Sequence, residues 1–599
     1  MTAEYITAQS CQRLFPGVGT RERNGGLSIR TWKLALAFGL LALGVLVFLM
    51  LQLPTNEAGP PPTTATYVDN AVCAGCHPGL NTSYSATGHA VAWPDLMAGF
   101  NLPTCEPCHA TGAGVPGIFP ATGYNVSTNL PTYLQNVTCQ TCHGPGSEHI
   151  SSMDKADIGL VLNASLCGSC HYSEEGLGAQ HHPTYNEWQV AGHNTSQRLP
   201  DFIKQPECSN CHEAWNAMEF LETGVYKDVL READEDAPLT WDIACATCHD
   251  SHSTGSGSQL RVPATELCAR CHNSGGAQPG VAPHHPMAEM RNNTAGAGID
   301  RTDLDYMESV ACVDCHMGTT QAGLPNHTFA PNPLTCFNCH NGSGIFPDPL
   351  FTTVEEYQMY IEIIAGAVDE GIVEVGGYVD NASAALNMMA GNRTGENLAS
   401  WNSEYEIALF NWESVDSDSS SGNHNPGLAT ALLLDAQDRS LAITDNLTPP
   451  DKVTGIVVTD LGNGSIRINW TVSDASDFAK YRIYILTQSK TNITSDTWRT
   501  EVTDKTTHSW MVTGLEADSV HYVYVTAVDA NGNEITNTVA GVSVTVTSEG
   551  GGLSTTMLAL IVLVVVVVIV AVVAMMMRKK KGPAEEMQAE QSPPETPKT

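Results

Sequence analysis

The pattern of hydrophobic and polar positions changes several times along the 599 residues, and each pattern predicts a different structure. Residues 34–53 and 557–577 are almost wholly apolar, and at about 1.5 Å per residue each can cross a hydrocarbon core of ~30 Å as a helix. Residues 67–350 show no sustained period and are rich in Gly, Pro, Asn and Thr. Apolar residues recur at helical spacing in 351–445, and short β-rich runs alternate with turns in 450–548.

The apolar positions of residues 351–445 predict amphipathic helices that pack on the end of the preceding segment. The periodic residues are Val354, Tyr357, Ile361, Ile364 and Val368 in a first stretch, Trp401, Tyr405, Leu409 and Trp412 in a second, and Leu428, Ala431, Leu432, Leu433 and Ala436 in a third.

The β-rich part, about a hundred residues long, predicts a sandwich of short strands. The predicted strands are Lys452–Val458, Ser465–Val472, Tyr481–Thr487, His508–Val512, His521–Val528 and Val542–Val546. The segment resembles a fibronectin type III domain in its opening Pro449-Pro450, in Trp470 and in Gly514-Leu515. It departs from that family at His521, where a corner tyrosine is usual. Such domains are spacers or adhesion modules, so we assign no chemistry to it.

Nine Cys-x-x-Cys-His motifs lie between Cys73 and His340 and use 18 of the 19 cysteines. This spacing attaches a c-type haem, because the two thiols form thioethers with the haem and the histidine then binds the iron. Paired Cys-x-x-Cys runs also bind zinc, but zinc does not require a histidine directly after the second cysteine. The sequence therefore predicts a multihaem cytochrome whose nine haems form the core of residues 67–350, wrapped by loops and short helices.

We number the motifs 1 to 9 in chain order. The predicted thioether cysteines are Cys73 and Cys76, Cys105 and Cys108, Cys139 and Cys142, Cys167 and Cys170, Cys208 and Cys211, Cys245 and Cys248, Cys268 and Cys271, Cys312 and Cys315, and Cys336 and Cys339. The predicted proximal iron ligands are His77, His109, His143, His171, His212, His249, His272, His316 and His340.

A haem that only carries electrons has both axial positions filled, whereas a haem that binds substrate keeps one open. The candidate distal ligands are His89, His149, His181, His182, His193, His252, His284, His285, His327 and His424. The count leaves open whether one iron lacks a partner, because the two doublets supply either two or four ligands. No extra histidine follows closely after Cys105 or Cys208, so motifs 2 and 5 are the candidates for an open haem.

Several of these histidines occur in sequences that resemble known haem units. Motif 1 with Ser-Ala-Thr-Gly-His89 and motif 3 with Gly-Pro-Gly-Ser-Glu-His149 resemble tetrahaem cytochromes related to hydroxylamine oxidoreductase, as does Trp188-Gln-Val-Ala-Gly-His193. Motif 6 with Asp-Ser-His252, motif 8 with Asn-His327, and His424-Asn-Pro resemble the wider superfamily that includes the ammonia-forming nitrite reductases. The resemblance implies His89, His149, His193, His252, His327 and His424 as distal ligands.

The chain departs from both enzymes of that superfamily. All nine motifs end in His, so the Cys-x-x-Cys-Lys haem typical of the nitrite reductases is missing from the sequence. We match no tyrosine among Tyr357, Tyr360 and Tyr405 to the one cross-linked to haem in the hydroxylamine enzyme. Two functions stay open: a conduit that passes electrons between redox proteins, and an oxidoreductase acting on hydroxylamine, nitrite or tetrathionate at one five-coordinate haem.

The charged residues predict which parts of the chain lie on each side of the cell membrane. The formal net charge of −36 argues against nucleic acid as a partner. Basic residues precede the apolar run 34–53 and follow the run 557–577, so we expect residues 1–33 and the disordered tail 578–599 in the cytoplasm and the rest outside the cell membrane. Residues 34–53 are an anchor or a signal segment, and residues 54–66 a Pro/Thr-rich spacer. Fourteen glycosylation sequons in the outer part are compatible with a glycoprotein.

Overall fold

The computed structural model of the chain describes most of the residues after 63. The described ranges are 64–99, 105–113, 122–125, 127–159, 163–172, 183–196, 206–226, 242–253, 255–304, 310–319, 324–340, 351–548 and 555–578. The predicted N-terminal segments and the candidate ligands His181 and His182 lie outside these ranges. The chain divides into two compact units, residues 1–380 with 403–440 and residues 381–402 with 441–599.

The described residues from 64 to 340, which we call the motif region, form short helices joined by loops, and none of them belongs to a β-strand. The α-helices are Asn70–Cys76, Pro78–Tyr84, Ala92–Gly99, Glu106–His109, Cys139–His143, Ser147–Ser152, Ala164–Gly168, Thr184–Val190, Pro206–His212, Ala214–Thr223, Cys245–Cys248, Ala264–Leu267, Met287–Arg291, Cys312–His316 and Pro333–His340. The 3-10 helices are Gly88–Val91, Thr132–Leu134, Lys155–Asp157, Gly192–Thr195 and Cys268–Arg270. The helical character predicted for a haem-binding region is confirmed.

Three longer helices follow: α1, Val354–Ala390; α2, Leu398–Asp416; and α3, Pro426–Leu447. Within the first unit, the apolar side chains of these helices form one core. Its fully buried members include Ala408, Leu428 and Leu432, and Met290 of the motif region belongs to the same core. Helix α1 continues well beyond Val368, where the predicted periodic stretch ends. It does so because buried residues such as Val375 continue the same helical face.

The second unit contains seven β-strands in two sheets, with the orders β1-β2-β5 and β4-β3-β6-β7. The strands are β1 Val457–Gly462, β2 Ser465–Asn469, β3 Phe478–Leu486, β4 Thr500–Val502, β5 Ser509–Val512, β6 Ser519–Asp529 and β7 Val542–Val546. All neighbouring strands are antiparallel. Apolar side chains from both sheets, among them Ile468, Trp470 and Tyr481, form the core of the sandwich. The predicted β-sandwich is therefore confirmed.

Most strands differ from the prediction by a few residues at one or both ends, and two differences stand out. Strand β1 begins at Val457 rather than Lys452, and the three-residue strand β4 was not predicted because so short a run has no readable alternation. At the corner position His521 replaces the usual tyrosine. Its Nε2 lies 3.2 Å from the carbonyl oxygen of Glu516 and 2.8 Å from the Ser519 hydroxyl, so the imidazole makes a similar local contact.

The last described element is helix α4, Thr555–Arg578. Its described side chains form an unbroken stretch only from Ala559 to Val573, and all of them are exposed. Among the residues that the structure describes, no helix is long and apolar enough to cross a membrane. The predicted transmembrane helices therefore stay predictions.

Candidate haem-binding site

In each motif a short helical turn holds the two cysteines and the histidine together. In motif 4 the His171 backbone N–H donates to the Cys167 carbonyl oxygen at 2.9 Å, and in motif 7 His272 makes the same 2.9 Å bond to Cys268. Residues three and four apart share one face of a helix, so both sulfurs and the imidazole point the same way. Seventeen of the motif cysteines are free thiols.

Among the residues that the structure describes, seven motif histidines face a second histidine at a nearly constant distance. The ring centres are separated by 6.5 Å in His77–His149, 6.0 Å in His171–His89, 6.0 Å in His143–His252, 6.1 Å in His272–His193, 6.2 Å in His212–His285, 6.3 Å in His249–His327 and 5.9 Å in His316–His424. Metal–imidazole bonds are about 2.0 Å long and the ring centre lies about 1.1 Å further, so two imidazoles on opposite sides of one metal have centres about 6.2 Å apart. The pairs fit one iron each.

Motif 5 faces both members of a histidine doublet. His284 and His285 lie 6.4 and 6.2 Å from His212, and ligand atoms of the three side chains all lie within 4.8 Å of one another. His285 lines the large cavity described below, and its ring centre also lies 6.3 Å from that of His272 of motif 7. Two histidines distant in sequence therefore lie near motif 5, and the expectation that it is a candidate open haem stays a prediction.

The two remaining motifs differ. His109 of motif 2 bonds through Nδ1 to the Ala92 carbonyl oxygen at 2.8 Å, and among the described residues no second histidine faces it. His340 of motif 9 faces Tyr357 of helix α1, with ring centres 5.0 Å apart. Sequence reasoning treated Tyr357 as an apolar position of a helix, and only the fold brings it to the motif.

Hydrogen bonds to Nδ1 orient the motif imidazoles and leave Nε2 for iron. The Nδ1 acceptors are the carbonyl oxygens of Ala92 for His109, Gly159 for His143, Ser196 for His212, Ser258 for His249 and Phe329 for His316. Such bonds fix the tautomer of a metal-bound histidine and make the ring a stronger ligand.

Three distal histidines are oriented in the same way, and Nδ1 of His327 lies 3.1 Å from the Pro325 carbonyl oxygen. Nδ1 of His149 lies 2.8 Å from the Asp154 carbonyl oxygen. Nδ1 of His424 lies 2.6 Å from the carboxylate of Asp418, which is 1% exposed. His424 directly precedes α3, whose first turn is capped by the Asn425 side chain accepting from the Leu428 N–H at 2.9 Å.

Burial keeps the candidate ligands in the neutral form that binds metals. It lowers the pKa of His89, His143, His193, His212, His249 and His327. Burial, together with repulsion from neighbouring imidazoles, lowers the pKa of His272 and that of His285 to about 4. A neutral imidazole needs no deprotonation before it binds iron.

Interactions between cysteines of different motifs give the order of the motifs in space. Direct thiol–thiol interactions join Cys73 to Cys139, Cys108 to Cys170, Cys167 to Cys245, Cys211 to Cys271 and Cys268 to Cys312. Electrostatic interactions add Cys142 to Cys167, Cys248 to Cys271 and Cys315 to Cys336. The motifs therefore form a line in the order 1, 3, 4, 6, 7, 8, 9. Motif 2 lies beside motif 4, and motif 5 lies beside motif 7.

One cavity of about 3400 Å³ runs through this arrangement and is lined by residues of motifs 2 to 9. Pockets for single small ligands are typically about 300–1,000 Å³, so the space is several times larger than one ligand needs. Cysteines, histidines and small apolar residues line it. The residues present fit a row of covalently held haems, which would supply one-electron chemistry through the iron.

Four family models match parts of the chain. Cytochrome c552 matches residues 301–492, the doubled CXXCH motif residues 237–277, cytochrome c554 and c-prime residues 72–144, and the fibronectin type III domain residues 451–541. Together they include motif 1 at one end of the motif region and motif 9 at the other.

Two curated proteins are similar to part of the chain. The multiheme cytochrome MtrA of Shewanella baltica is 25% identical over 269 residues, which cover 40% of this chain and 76% of that protein. The C-type polyheme cytochrome OmcC of Geobacter sulfurreducens is 24% identical over 274 residues, 42% of this chain and 30% of that protein.

Two solved structures of cytochromes match part of the chain. The outer cell wall cytochrome OcwA matches with a TM-score of 0.45 and 22% identity, over 62% of this chain and 99% of that one. The undecaheme cytochrome from the S-layer of Carboxydothermus ferrireducens matches with a TM-score of 0.40 and 22% identity, over 64% and 70%.

The motifs, the histidine pairs and the family matches define the class: the chain is a multihaem c-type cytochrome. More particularly, it is a multihaem cytochrome fused to a fibronectin type III domain. The resemblance to multihaem cytochromes and to the fibronectin type III family is confirmed.

Proposed function

We propose that the chain is an electron conduit that binds nine c-type haems, one at each motif. The observation that carries this proposal is the set of seven histidine pairs, whose ring centres lie 5.9–6.5 Å apart. Iron with two histidine ligands has no site for a substrate and changes oxidation state without changing its ligands. Most of the haems are therefore built to carry electrons rather than to transform a substrate.

The order of the motifs supplies the path. Because thioether bonds hold each haem at its cysteines, motifs whose cysteines interact carry neighbouring haems. Electrons then move stepwise along motifs 1, 3, 4, 6, 7, 8 and 9, with motifs 2 and 5 as side branches from motifs 4 and 7. The two ends of the line, motifs 1 and 9, are the entry and exit points for electrons.

The proposed location is the outer side of the cell membrane. Residues 557–577 are an apolar run of 21 residues, about 31 Å as a helix, and Arg578, Lys579, Lys580 and Lys581 follow it. Basic residues next to a membrane span stay on the cytoplasmic side, so the haem-binding part lies outside. It is anchored by residues 557–577 and, if the N-terminal segment is not cleaved, by residues 34–53 as well. The proposed partners are redox proteins that donate and accept electrons.

Haem content tests the proposal. The full-length chain, produced with a c-type maturation system, should hold nine haems that remain attached after acidic acetone extraction, counted as pyridine haemochrome per chain. A control with Cys336→Ser and Cys339→Ser should hold eight. Fewer than nine in the unaltered chain, or haem lost on extraction, contradicts the proposal.

An oxidoreductase is the second candidate. The specific observation in its favour is that a tyrosine, Tyr357, packs on His340 of motif 9, with ring centres 5.0 Å apart. One haem with an open position would bind the substrate, and the remaining haems would deliver or remove electrons.

A further inference from the structure

Three distal histidines lie beside motifs 5 and 7, where two irons would need only two of them. The ring centres of His284 and His285 lie 6.4 and 6.2 Å from that of His212 of motif 5. His285 also lies 6.3 Å from His272 of motif 7, which faces His193 at 6.1 Å. Each iron has one distal position, so among the described residues this part of the motif region holds one imidazole more than the two irons use.

The two members of the doublet have different neighbours. Their ring centres lie 4.0 Å apart, so both rings are on the same side of His212. Burial, with repulsion from His272 and His212, lowers the pKa of His285 to about 4. Burial, with repulsion from His285 and His212, lowers the pKa of His284 to about 4. His284 is therefore placed at motif 5, whereas His285 is placed between motifs 5 and 7.

Motifs 5 and 7 are direct neighbours in the fold. The thiols of Cys211 and Cys271 interact with each other, and the imidazoles of His212, His272 and His285 line the same cavity. Two imidazoles that share one metal have ring centres about 6.2 Å apart. His285 meets that distance to His212 and to His272 from one position. A change in the direction of its side chain therefore exchanges one partner for the other without moving the rest of the chain.

The backbone at His285 offers a second way to present this side chain. The doublet lies between Pro283 and Pro286. His285 has a φ of 53°, in the left-handed region that a residue with a Cβ atom rarely adopts. A residue that precedes proline instead prefers an extended backbone. Strained residues of this kind cluster at functional and switching sites. The extended alternative points the His285 ring in another direction, and the flanking prolines confine the change to the doublet.

We propose that His285 is an exchangeable distal ligand shared by the haems of motifs 5 and 7, with His284 also available to motif 5 and His193 also available to motif 7. This inference rests on the proposed function, since both motifs must carry a haem. Motif 7 belongs to the line and motif 5 is its side branch, so the exchange takes place where the branch leaves the line. Whichever iron His285 binds, the other iron keeps a histidine of its own.

The test counts high-spin haem in full-length holoprotein variants by quantitative electron paramagnetic resonance, each compared with the unaltered chain. His193→Ala, His284→Ala and His285→Ala should each add no high-spin haem, because the two remaining histidines fill both distal positions. His327→Ala is the matched control: it removes a distal histidine that faces His249 of motif 6 without such a reserve, and it should add one.

Double variants remove the reserve. His284→Ala combined with His285→Ala should add one high-spin haem at motif 5, and His193→Ala combined with His285→Ala should add one at motif 7. Replacing both cysteines of motif 5 with Ser should abolish the first signal, and replacing both cysteines of motif 7 with Ser should abolish the second. A doublet variant that adds no high-spin haem overturns the assignment of either histidine to motif 5.

The outcomes separate this inference from the conduit itself. One high-spin haem added by His193→Ala in a chain that holds nine haems overturns the sharing, because His285 then serves motif 5 alone. His193→Leu, which keeps a buried side chain, should give the same result as His193→Ala and shows that the result does not come from a local collapse. Peptide mapping that finds motif 5 or 7 without haem in the unaltered chain overturns the proposed haem count together with the exchange.

Discussion

In the β-sandwich the buried side chains are apolar and alternate along strands, whereas in the motif region the cysteines and histidines of eight motifs line a large internal space. Ile466 and Ile468 of strand β2 are fully buried among aromatic and branched residues of the opposite sheet. The apolar clusters of the motif region are small, such as Ala164, Trp188 and Ala244. One region thus carries its own hydrophobic core, while the other is built around a cofactor. The comparison predicts how each region responds when its core is removed.

The largest effect is expected from withholding haem. Without a c-type maturation system, residues 64–340 should lose their compact structure, because the cavity of about 3400 Å³ would be left without its contents. The β-sandwich should keep its structure in the same sample. Limited proteolysis followed by mass spectrometry measures both: rapid cleavage is expected throughout 64–340 and slow cleavage in 457–546. Equal protection of the two regions would contradict the comparison.

The converse experiment removes part of the hydrophobic core of the β-sandwich and should destabilise the β-sandwich alone. Ile468→Ala removes a fully buried side chain and should lower the free energy of unfolding of the sandwich by about 2–5 kcal/mol. Val457→Ala, on the 56% exposed Val457 of strand β1, is the control and should change it by about 0.5 kcal/mol or less. Chemical denaturation followed by tryptophan fluorescence measures the shift, and the haem absorption spectrum should stay unchanged. A changed haem spectrum would mean that the two regions do not have separate cores.

Within the motif region, the pairing of histidines across motifs gives a sharper test. His252 directly follows motif 6 in sequence, yet its ring faces His143 of motif 3 at 6.0 Å. His252→Ala should therefore create one additional high-spin haem, and that haem should be the one at motif 3. Adding Cys139→Ser and Cys142→Ser should abolish the new signal. If instead removal of motif 6 by Cys245→Ser and Cys248→Ser abolishes it, the pairing is wrong.

The smallest expected effect concerns a single redox potential. The buried Asp418 carboxylate accepts a hydrogen bond from His424, which would stabilise the oxidised iron of the haem proposed at motif 8. Asp418→Asn should raise that potential by about 60 mV if the relative stability of the two oxidation states changes tenfold. Spectroelectrochemical titration measures it. Asp438→Asn, at an exposed site on helix α3, should leave the potentials unchanged, and equal shifts in both variants would argue against the role of Asp418.

The sequence predicted different amounts of the structure in the β-sandwich and in the motif region. The alternation of apolar residues predicted the sandwich, but the three residues of strand β4 are too few to show it. In the motif region, the thioether cysteines and proximal histidines are local patterns and could be assigned directly. The partner of each histidine could not, because pairing depends on the folded chain: His89 follows motif 1 in sequence but faces His171 of motif 4.

Tyr357 is a second example of a contact that a local sequence pattern could not predict. Its spacing with Ile361 and Ile364 predicts a helix face and says nothing about which motif that face meets. Likewise no histidine follows closely after motif 5 in the sequence, yet the fold brings His284 and His285, more than seventy residues away, to within 6.4 Å of His212 between ring centres. Local spacing identifies which residues can bind haem, and only the fold decides which of them share one iron.

The central claim is that at least seven haems have two histidine ligands, and near-infrared magnetic circular dichroism of the oxidised full-length chain tests it most directly. The position of the charge-transfer bands identifies the axial ligands of low-spin ferric haem, and their intensity gives the number of haems per chain. Seven or more bis-histidine equivalents among nine haems are expected. Fewer than seven, or a dominant signal from another ligand pair, would contradict the account.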